Sequence, residues 1–284
     1  MEPNFLFIGP DKSGSSWLYE ILRLHPDCFV PEVKDIYFFD RHYDRGWAWY
    51  LSFFRDAPPH SVAAGELSHD YLHAPEAPAR IAQHLPNVRL ITTLRDPVER
   101  TFSHYLYLVR SGLTRATFEE ALEQFPELIR NSRYHTHLSR YWAHFPRAQV
   151  GVFFFESLQQ NPAAFARDVF DFLGLRFVEE IDYARKVLPA SKPRLHTLAW
   201  FVKKGANLSR RLGLAKPVGV LKRSTLARLL YKPYDERTRP RMRPETAQRL
   251  REVFADEVRA LRDELGVTGP AWLLDPPVAA ERAT

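Results

Sequence analysis

A single cysteine, Cys28, stands in a chain of 284 residues, which excludes a fold held together by disulfides. Long apolar runs are missing too. The longest, such as Val150 to Phe155, fall far short of the roughly 20 residues that a membrane-spanning helix needs. Residues 1–4 carry no basic stretch and no small-residue cleavage site ahead of Phe5-Leu6-Phe7-Ile8, so no signal peptide is expected. These absences predict a soluble, cytoplasmic protein of a reducing compartment. A more local absence is of acid. From Tyr183 to Tyr234 there is no Asp or Glu, yet there are thirteen Lys and Arg residues. The whole chain has 40 basic and 34 acidic residues, a net charge of +6, so the remainder carries 27 against 34, or −7. Hydrophobic residues at 45% and charged residues at 26% exclude a disordered or collagen-like chain.

What is present has a strand–helix–strand rhythm. Phe5–Ile8 reads as a buried strand, residues 9–14 as a loop, and Ser15–Leu24 as a helix with Trp17, Leu18, Ile21 and Leu22 at apolar helical spacing. Val62–Ala64 and Arg89–Leu94 read as further strands, with a helix over Pro75–Leu85 between them. Asp96-Pro97-Val98-Glu99 combines an N-cap acid, Pro at the first helical position and Glu three residues after the cap, and so predicts a helix to about Ser111. Gln149–Phe155 reads as a last strand, and Pro162–Leu173 and Pro244–Leu265 as helices. The fold class expected is α/β: a single domain over residues 1–284 with a central, mostly parallel sheet flanked by helices. Residues 4–180 form its core, 183–234 the acid-free basic segment, and 235–272 the closing part.

Two stretches carry chemistry. Lys12-Ser13-Gly14-Ser15-Ser16-Trp17 lies between a strand and a helix, where inward-facing backbone N–H groups and the helix N-terminus bind phosphate. Lys12 adds a point charge, Gly14 permits close approach, and the three serines offer hydroxyl donors. The stretch departs from the nucleotide P-loop pattern, because Lys12 stands before Gly14, with two residues between it and Ser15. The second stretch, Leu94 to Arg100 followed by Ser103, puts Arg95 at the C-terminal end of a strand, where parallel sheets bind ligands. A guanidinium fork and a hydroxyl suit a terminal phosphate, and Asp96 reads as a helix cap.

On these residues the chain resembles the 3′-phosphoadenosine 5′-phosphosulfate (PAPS)-dependent sulfotransferases, above all the heparan-sulfate-type branch and its bacterial relatives. Residues 12–17 are similar to the family's 5′-phosphosulfate loop, and Arg95-Asp96-Pro97 through Ser103 to its 3′-phosphate motif. Leu24-His25-Pro26, Tyr37-Phe38-Phe39-Asp40, Trp49-Tyr50, Gly65-Glu66 through Tyr71, Ser132-Arg133-Tyr134 and Phe172-Leu173-Gly174-Leu175 follow in order. The resemblance runs from about Asn4 to Trp272 and is thinnest across Pro189 to Lys232. It implies a P-loop-like sulfotransferase fold, PAPS as sulfuryl donor, and no metal. It also implies cofactor binding by Lys12, Ser13, Gly14, Ser15, Ser16, Trp17, Arg95, Ser103, Tyr134 and Arg237.

The implied reaction is an in-line displacement on sulfur, in which Lys12 steadies the charge on the departing bridging oxygen. The heparan-sulfate-type branch takes the acceptor's proton with a Glu before Phe-Phe-Asp. Asp35 holds that position here, one methylene shorter. The cytosolic branch uses the His of a Lys-Thr-His motif, and the comparable stretch here is Leu67-Ser68-His69, without the Lys. An imidazole of pKa about 6.5 is a better base at neutrality than a carboxylate of about 3.9. The expectation is that His69 and Asp35 share the task, one as base and one orienting it. Tyr37 replaces the family's frequent His beside the acid, and this and the lone cysteine point to an intracellular enzyme with an acceptor other than heparan sulfate.

The acceptor is expected to be a hydroxyl, with an amine as second choice, of a carbohydrate, glycolipid or secondary metabolite. Trp47, Trp49, Tyr50, Phe53 and Phe54 read either as its wall or as apolar core. The basic segment has three readings: a solvated face partly covering the nucleotide, an amphipathic membrane-surface element over 194–232, and a trap for an anionic acceptor. The first is favoured. A P-loop-like nucleoside or sugar kinase is the alternative function, and it lacks a strand-end Asp for its metal. A basic nucleic-acid-binding protein is more remote, because it leaves Lys12 and Arg95 unexplained, and no nucleic-acid partner is expected.

Overall fold

Alternation along the first strand sets the architecture. In β1 (Phe5–Gly9), Phe5 and Phe7 enter one apolar cluster while Leu6 and Ile8 enter another, and all four are fully buried. A strand covered on both faces belongs at the centre of a parallel sheet. In the computed structural model, which describes residues 1–185, 191–193, 231–233, 240–266 and 269–274, β1 occupies that place. It is flanked by β3 (Ala63–Leu67) and β4 (Arg89–Leu94), with β2 (Cys28–Phe29) and β5 (Val150–Phe154) at the edges, all parallel. This is the expected α/β sheet.

Helices cover both faces. The Phe5/Phe7 side packs on α1 (Ser15–Leu24), through Trp17, Leu18, Ile21 and Leu22. The opposite side packs on α4 (Ala77–His84) and α5 (Pro97–Arg110), which follow the short α2 (Phe38–Arg41) and α3 (Trp47–Leu51). The helices α6 (Phe118–Gln124), α7 (Glu127–Arg130) and α8 (Tyr134–Trp142) extend that side, and α9 (Phe155–Gln160) and α10 (Pro162–Leu173) follow β5. Phe165, Val169 and Phe170 of α10 return to the α1 face, whereas Leu250, Phe254, Val258 and Leu261 of α11 (Pro244–Leu265) join α5 and α8. The described chain closes with α12 (Ala271–Leu274). No helix of the described residues is long and apolar enough to cross a membrane.

Two sequence expectations change. The strand expected at Val62–Ala64 runs instead from Ala63 to Leu67, because Gly65 and Glu66 pair with Phe5 and Leu6 of β1 despite interrupting the apolar run. Gly65 is required there, since a Cβ would lie 2.2 Å from the Phe5 carbonyl oxygen. At the start of α5, Asp96 Oδ1 accepts from Val98 N at 2.8 Å and Glu99 N at 3.2 Å, as a cap should. The reciprocal half of a capping box goes elsewhere: Asp96 N–H donates to Glu156 at 2.9 Å, which frees Glu99 to pair with Arg95 at 3.2 Å. The acid-free segment is described only towards its ends, where Tyr183 still belongs to the core and β6 (Ser191–Pro193) and β7 (Tyr231–Pro233) pair antiparallel. The 194–230 part of the membrane-surface reading lies outside the described residues.

Candidate active site

The C-terminal ends of β1, β3 and β4 converge on one edge of the sheet, and each delivers part of the site. After β1 the loop takes left-handed turns at Lys12 (φ 67°) and Gly14 (φ 91°), and Gly14 O then accepts from Trp17 N and Leu18 N to open α1. A Cβ on Gly14 would lie 2.8 Å from Leu158, so this glycine answers both the turn and the packing of α9. Lys12 extends over the Tyr107 ring with its Nζ 4.8 Å from the centroid. Burial pulls its pKa down to about 8; Asp11 opposes this, and Arg110, Arg95 and Arg100 add to it. Cations gathered this closely call for an anion among them.

Asp11 is committed inward. Its Oδ1 pairs with Arg100 at 2.8 Å, and Arg100, fully buried on α5, also donates to Ser132 Oγ at 2.6 Å and Leu128 O at 2.8 Å. Burial works to raise the Asp11 pKa, but His104 and Arg100 hold it well below the usual carboxylate range. The Lys12 loop is thereby bolted to α5. Arg95 leaves the end of β4 with its guanidinium 5.0 Å from the Phe155 ring centroid, and the buried Tyr134 donates its hydroxyl to Arg95 O at 2.8 Å. Ser103 is half-buried on α5.

The end of β3 supplies the third part. His69 Nδ1 lies 2.8 Å from Asp35 Oδ1, and its Nε2 lies 3.1 Å from the Tyr37 hydroxyl and 3.4 Å from Asp70. An ionised Asp35 accepts the Nδ1 proton and so leaves Nε2 as the basic nitrogen. Side-chain exposures of 23% for His69 and 13% for Asp35 leave the pair reachable from solvent. The His69 backbone sits against the loop: a Cβ on Gly9 would lie 2.2 Å from its carbonyl oxygen. Asp35 and Tyr37 both hold positive φ, 65° and 57°, and a buried network fixes them. Glu66, 1% exposed, accepts from Ser68 Oγ and Tyr71 Oη, each at 2.6 Å. Ser68 Oγ in turn accepts from Tyr37 N at 3.0 Å, and Tyr71 Oη from Phe38 N at 2.8 Å. Burial pushes the Glu66 pKa up to about 7.

The structure thus brings Lys12, Ser15 and Ser16 onto the edge where Arg95, Asp35 and His69 stand. Two of the expected ligands face elsewhere. Trp17 packs on Phe165 and donates Nε1–H to Tyr183 O at 3.1 Å, so its side chain anchors α1 in the core. Ser13 is fully buried, with its hydroxyl on Asp11 O at 3.5 Å, which leaves only its backbone for a ligand. Tyr134 supports Arg95 from behind, and Arg237 lies outside the described residues. Of the candidate aromatic wall, Tyr50 and Phe54 are core, while Trp47, Trp49 and Phe53 pack partly buried against it. Sequence reading missed Lys34, whose Nζ is 2.9 Å from Ser15 Oγ, together with Glu66, Asp11 and Arg100. Of these, Glu66 alone stands inside an apolar strand run, the one local signal available. Among the described residues no three His, Cys, Asp or Glu side chains gather as a metal site.

Residues 2–261 match the sequence model of the sulfotransferase domain. Over 197 residues the chain is 32% identical to the bifunctional heparan sulfate N-deacetylase/N-sulfotransferase 3 of Homo sapiens, covering 61% of this chain and 22% of that protein. Over 186 residues it is 34% identical to the Homo sapiens heparan sulfate glucosamine 3-O-sulfotransferase 3B1, covering 61% and 46%. The matched region is therefore less than half the length of these relatives. The solved sulfotransferase from Alicyclobacillus acidocaldarius superposes with a TM-score of 0.60 at 26% identity, over 80% of this chain and 98% of that one. With the family match running through all five strands of the parallel sheet, the chain belongs to the sulfotransferase domain family.

Proposed function

We propose that the protein transfers the sulfuryl group of PAPS to a hydroxyl, or in second place an amine, of a carbohydrate, glycolipid or secondary-metabolite acceptor. One observation carries the reading: an Asp35–His69 pair is built directly against a loop of converging cations. The donor set fits the nucleotide. Lys12, the Ser15 and Ser16 hydroxyls and the α1 N-terminus suit its 5′ end, and Arg95 with Ser103 suits the 3′-phosphate. Trp17 and Tyr134 serve by holding α1 and Arg95 in place. PAPS supplies an activated sulfuryl group.

His69 Nε2 takes the acceptor's proton while Asp35 holds Nδ1–H and steadies the imidazolium that forms. The acceptor oxygen bonds to sulfur, and the bond from sulfur to the bridging oxygen breaks with its electron pair left on the 5′-phosphate. Lys12 offsets that charge. The names of the two human relatives favour a carbohydrate among the acceptor classes. Incubation with sulfur-labelled PAPS and a panel of sugars, glycolipids and phenolic metabolites tests the reading, with label expected on an acceptor hydroxyl or amine. Transfer of phosphate from ATP, with PAPS untouched, would contradict it.

A further inference from the structure

The loop between β2 and α2 holds a charge that the mechanism above leaves unused. Lys34 precedes Asp35, and the residues after it are tied to the end of β3: Asp35 N–H donates to Leu67 O and Tyr37 N–H to Ser68 Oγ, both at 3.0 Å. From this anchored position its ammonium reaches the start of α1, 2.9 Å from Ser15 Oγ and 3.5 Å from Ser16 Oγ. No carboxylate forms an ion pair with it among the described residues. Burial lowers its pKa below that of an ordinary lysine, opposed by Asp35, Asp11 and Glu20.

A half-buried cation whose partners are hydroxyls, set on the positive end of a helix dipole, is costly until an anion shares the place. The two serine hydroxyls accept from Lys34, which leaves their own O–H groups to donate elsewhere. The end of β3 brings no cation of its own, because Leu67 is 1% exposed within an apolar cluster. Lys12 and Lys34 thus flank the α1 N-terminus from two different loops.

We propose that Lys34 is a second ammonium of the active site and holds the sulfuryl group in transfer, while Lys12 serves the 5′-phosphate left behind. The assignment rests on the sulfotransferase reading. Through the displacement the three non-bridging sulfuryl oxygens carry negative charge, and Lys34 compensates it from before bond formation until after bond breakage. The acceptor's proton still goes to His69, and the electron pair of the broken bond to the 5′-phosphate.

PAPS and 3′-phosphoadenosine 5′-phosphate (PAP) differ only in the sulfuryl group, so their affinities separate the two lysines. Lys34→Met in the full chain keeps the length of the side chain and removes its charge. It is expected to weaken PAPS binding about tenfold or more, the loss of one charged hydrogen bond, and to leave PAP binding within about threefold. The thermal midpoint of the free protein should not fall, because a half-buried charge with no ion-pair partner among the described residues has been removed. Lys34→Arg should retain part of the PAPS affinity. Unchanged PAPS binding, or equal weakening of both nucleotides with a lowered midpoint, overturns the assignment; the second result makes Lys34 a prop of α1. Wild-type protein that binds neither nucleotide overturns the sulfotransferase reading, and this assignment with it.

Discussion

Lys12 holds its proton weakly. With a pKa pulled down to about 8 by burial, it is half neutral in the free protein at mildly alkaline pH. An anion bound beside it restores the charge, so PAP binding should take up protons above about pH 8, and affinity should fall as pH rises through that value. Calorimetry at about pH 9 in two buffers of different ionisation enthalpy measures the uptake, which Lys12→Met should abolish. The Asp35–His69 pair is tested by turnover. His69→Ala and Asp35→Asn should each lose roughly 10²–10⁴-fold while PAP still binds, the usual worth of a general base. Asn tolerates the left-handed backbone at φ 65°, so that variant isolates the chemistry from the fold. Near-full turnover of either variant would remove it from the mechanism. Arg95 was legible because it stands at the end of an expected strand, and His69 through the resemblance of Leu67-Ser68-His69 to a family motif. Lys34 was not, because no periodicity relates it to serines that lie nearly 20 residues earlier in the chain and meet it only through tertiary folding.

Among the elements, the end of β3 and the loop bearing Asp35 act as one unit through Glu66. Its folded pKa of about 7 lies above the ordinary carboxyl value, so the folded protein binds the extra proton between about pH 4.5 and 7. The stability this proton contributes is full below about pH 4.5 and is lost as pH rises through about 7. The slope is at most about 1.4 kcal/mol per pH unit. Glu66→Gln, neutral at every pH, should flatten that slope in denaturant unfolding across the range, and an unchanged slope would exclude Glu66 as its source. The Lys12 loop and α5 form a second unit through the Asp11–Arg100 pair. Asp11→Ala leaves a fully buried guanidinium without its carboxylate and should cost about 3–5 kcal/mol in unfolding free energy. Both units were hidden in the sequence for one reason. Pattern reading assigns charge to the surface, and Glu66 and Arg100 are buried charges, Glu66 held by the nearby Ser68 and Tyr71 hydroxyls and Arg100 by partners distant in sequence. The run Gly65-Glu66 also concealed the true extent of β3. Helices with an apolar stripe and clear ends, α1, α10 and α11, were legible to the residue.

For the whole molecule, the opening asymmetry of charge acquires a place. The acid-free segment departs from Tyr183, whose carbonyl holds Trp17, and its ends pair as β6 and β7, with β6 running beside α5. The same helix carries Ser103 and the buried Arg100, so the described strand β6 of the basic segment lies beside the helix that bears Ser103, in a chain whose remainder is net acidic. The partner proposed above, a small polyanionic nucleotide, suits the cations Lys12, Lys34 and Arg95 on that edge of the sheet. The most direct measurement is the thermal midpoint of the full chain with PAP in the presence of a metal chelator, set beside ATP with Mg²⁺. At a hundredfold excess over its dissociation constant, PAP should stabilise the fold by about 2.7 kcal/mol. Arg95→Ala should remove most of that shift, and ATP with Mg²⁺ should give little. Stabilisation by ATP with Mg²⁺ and none by PAP would contradict the account.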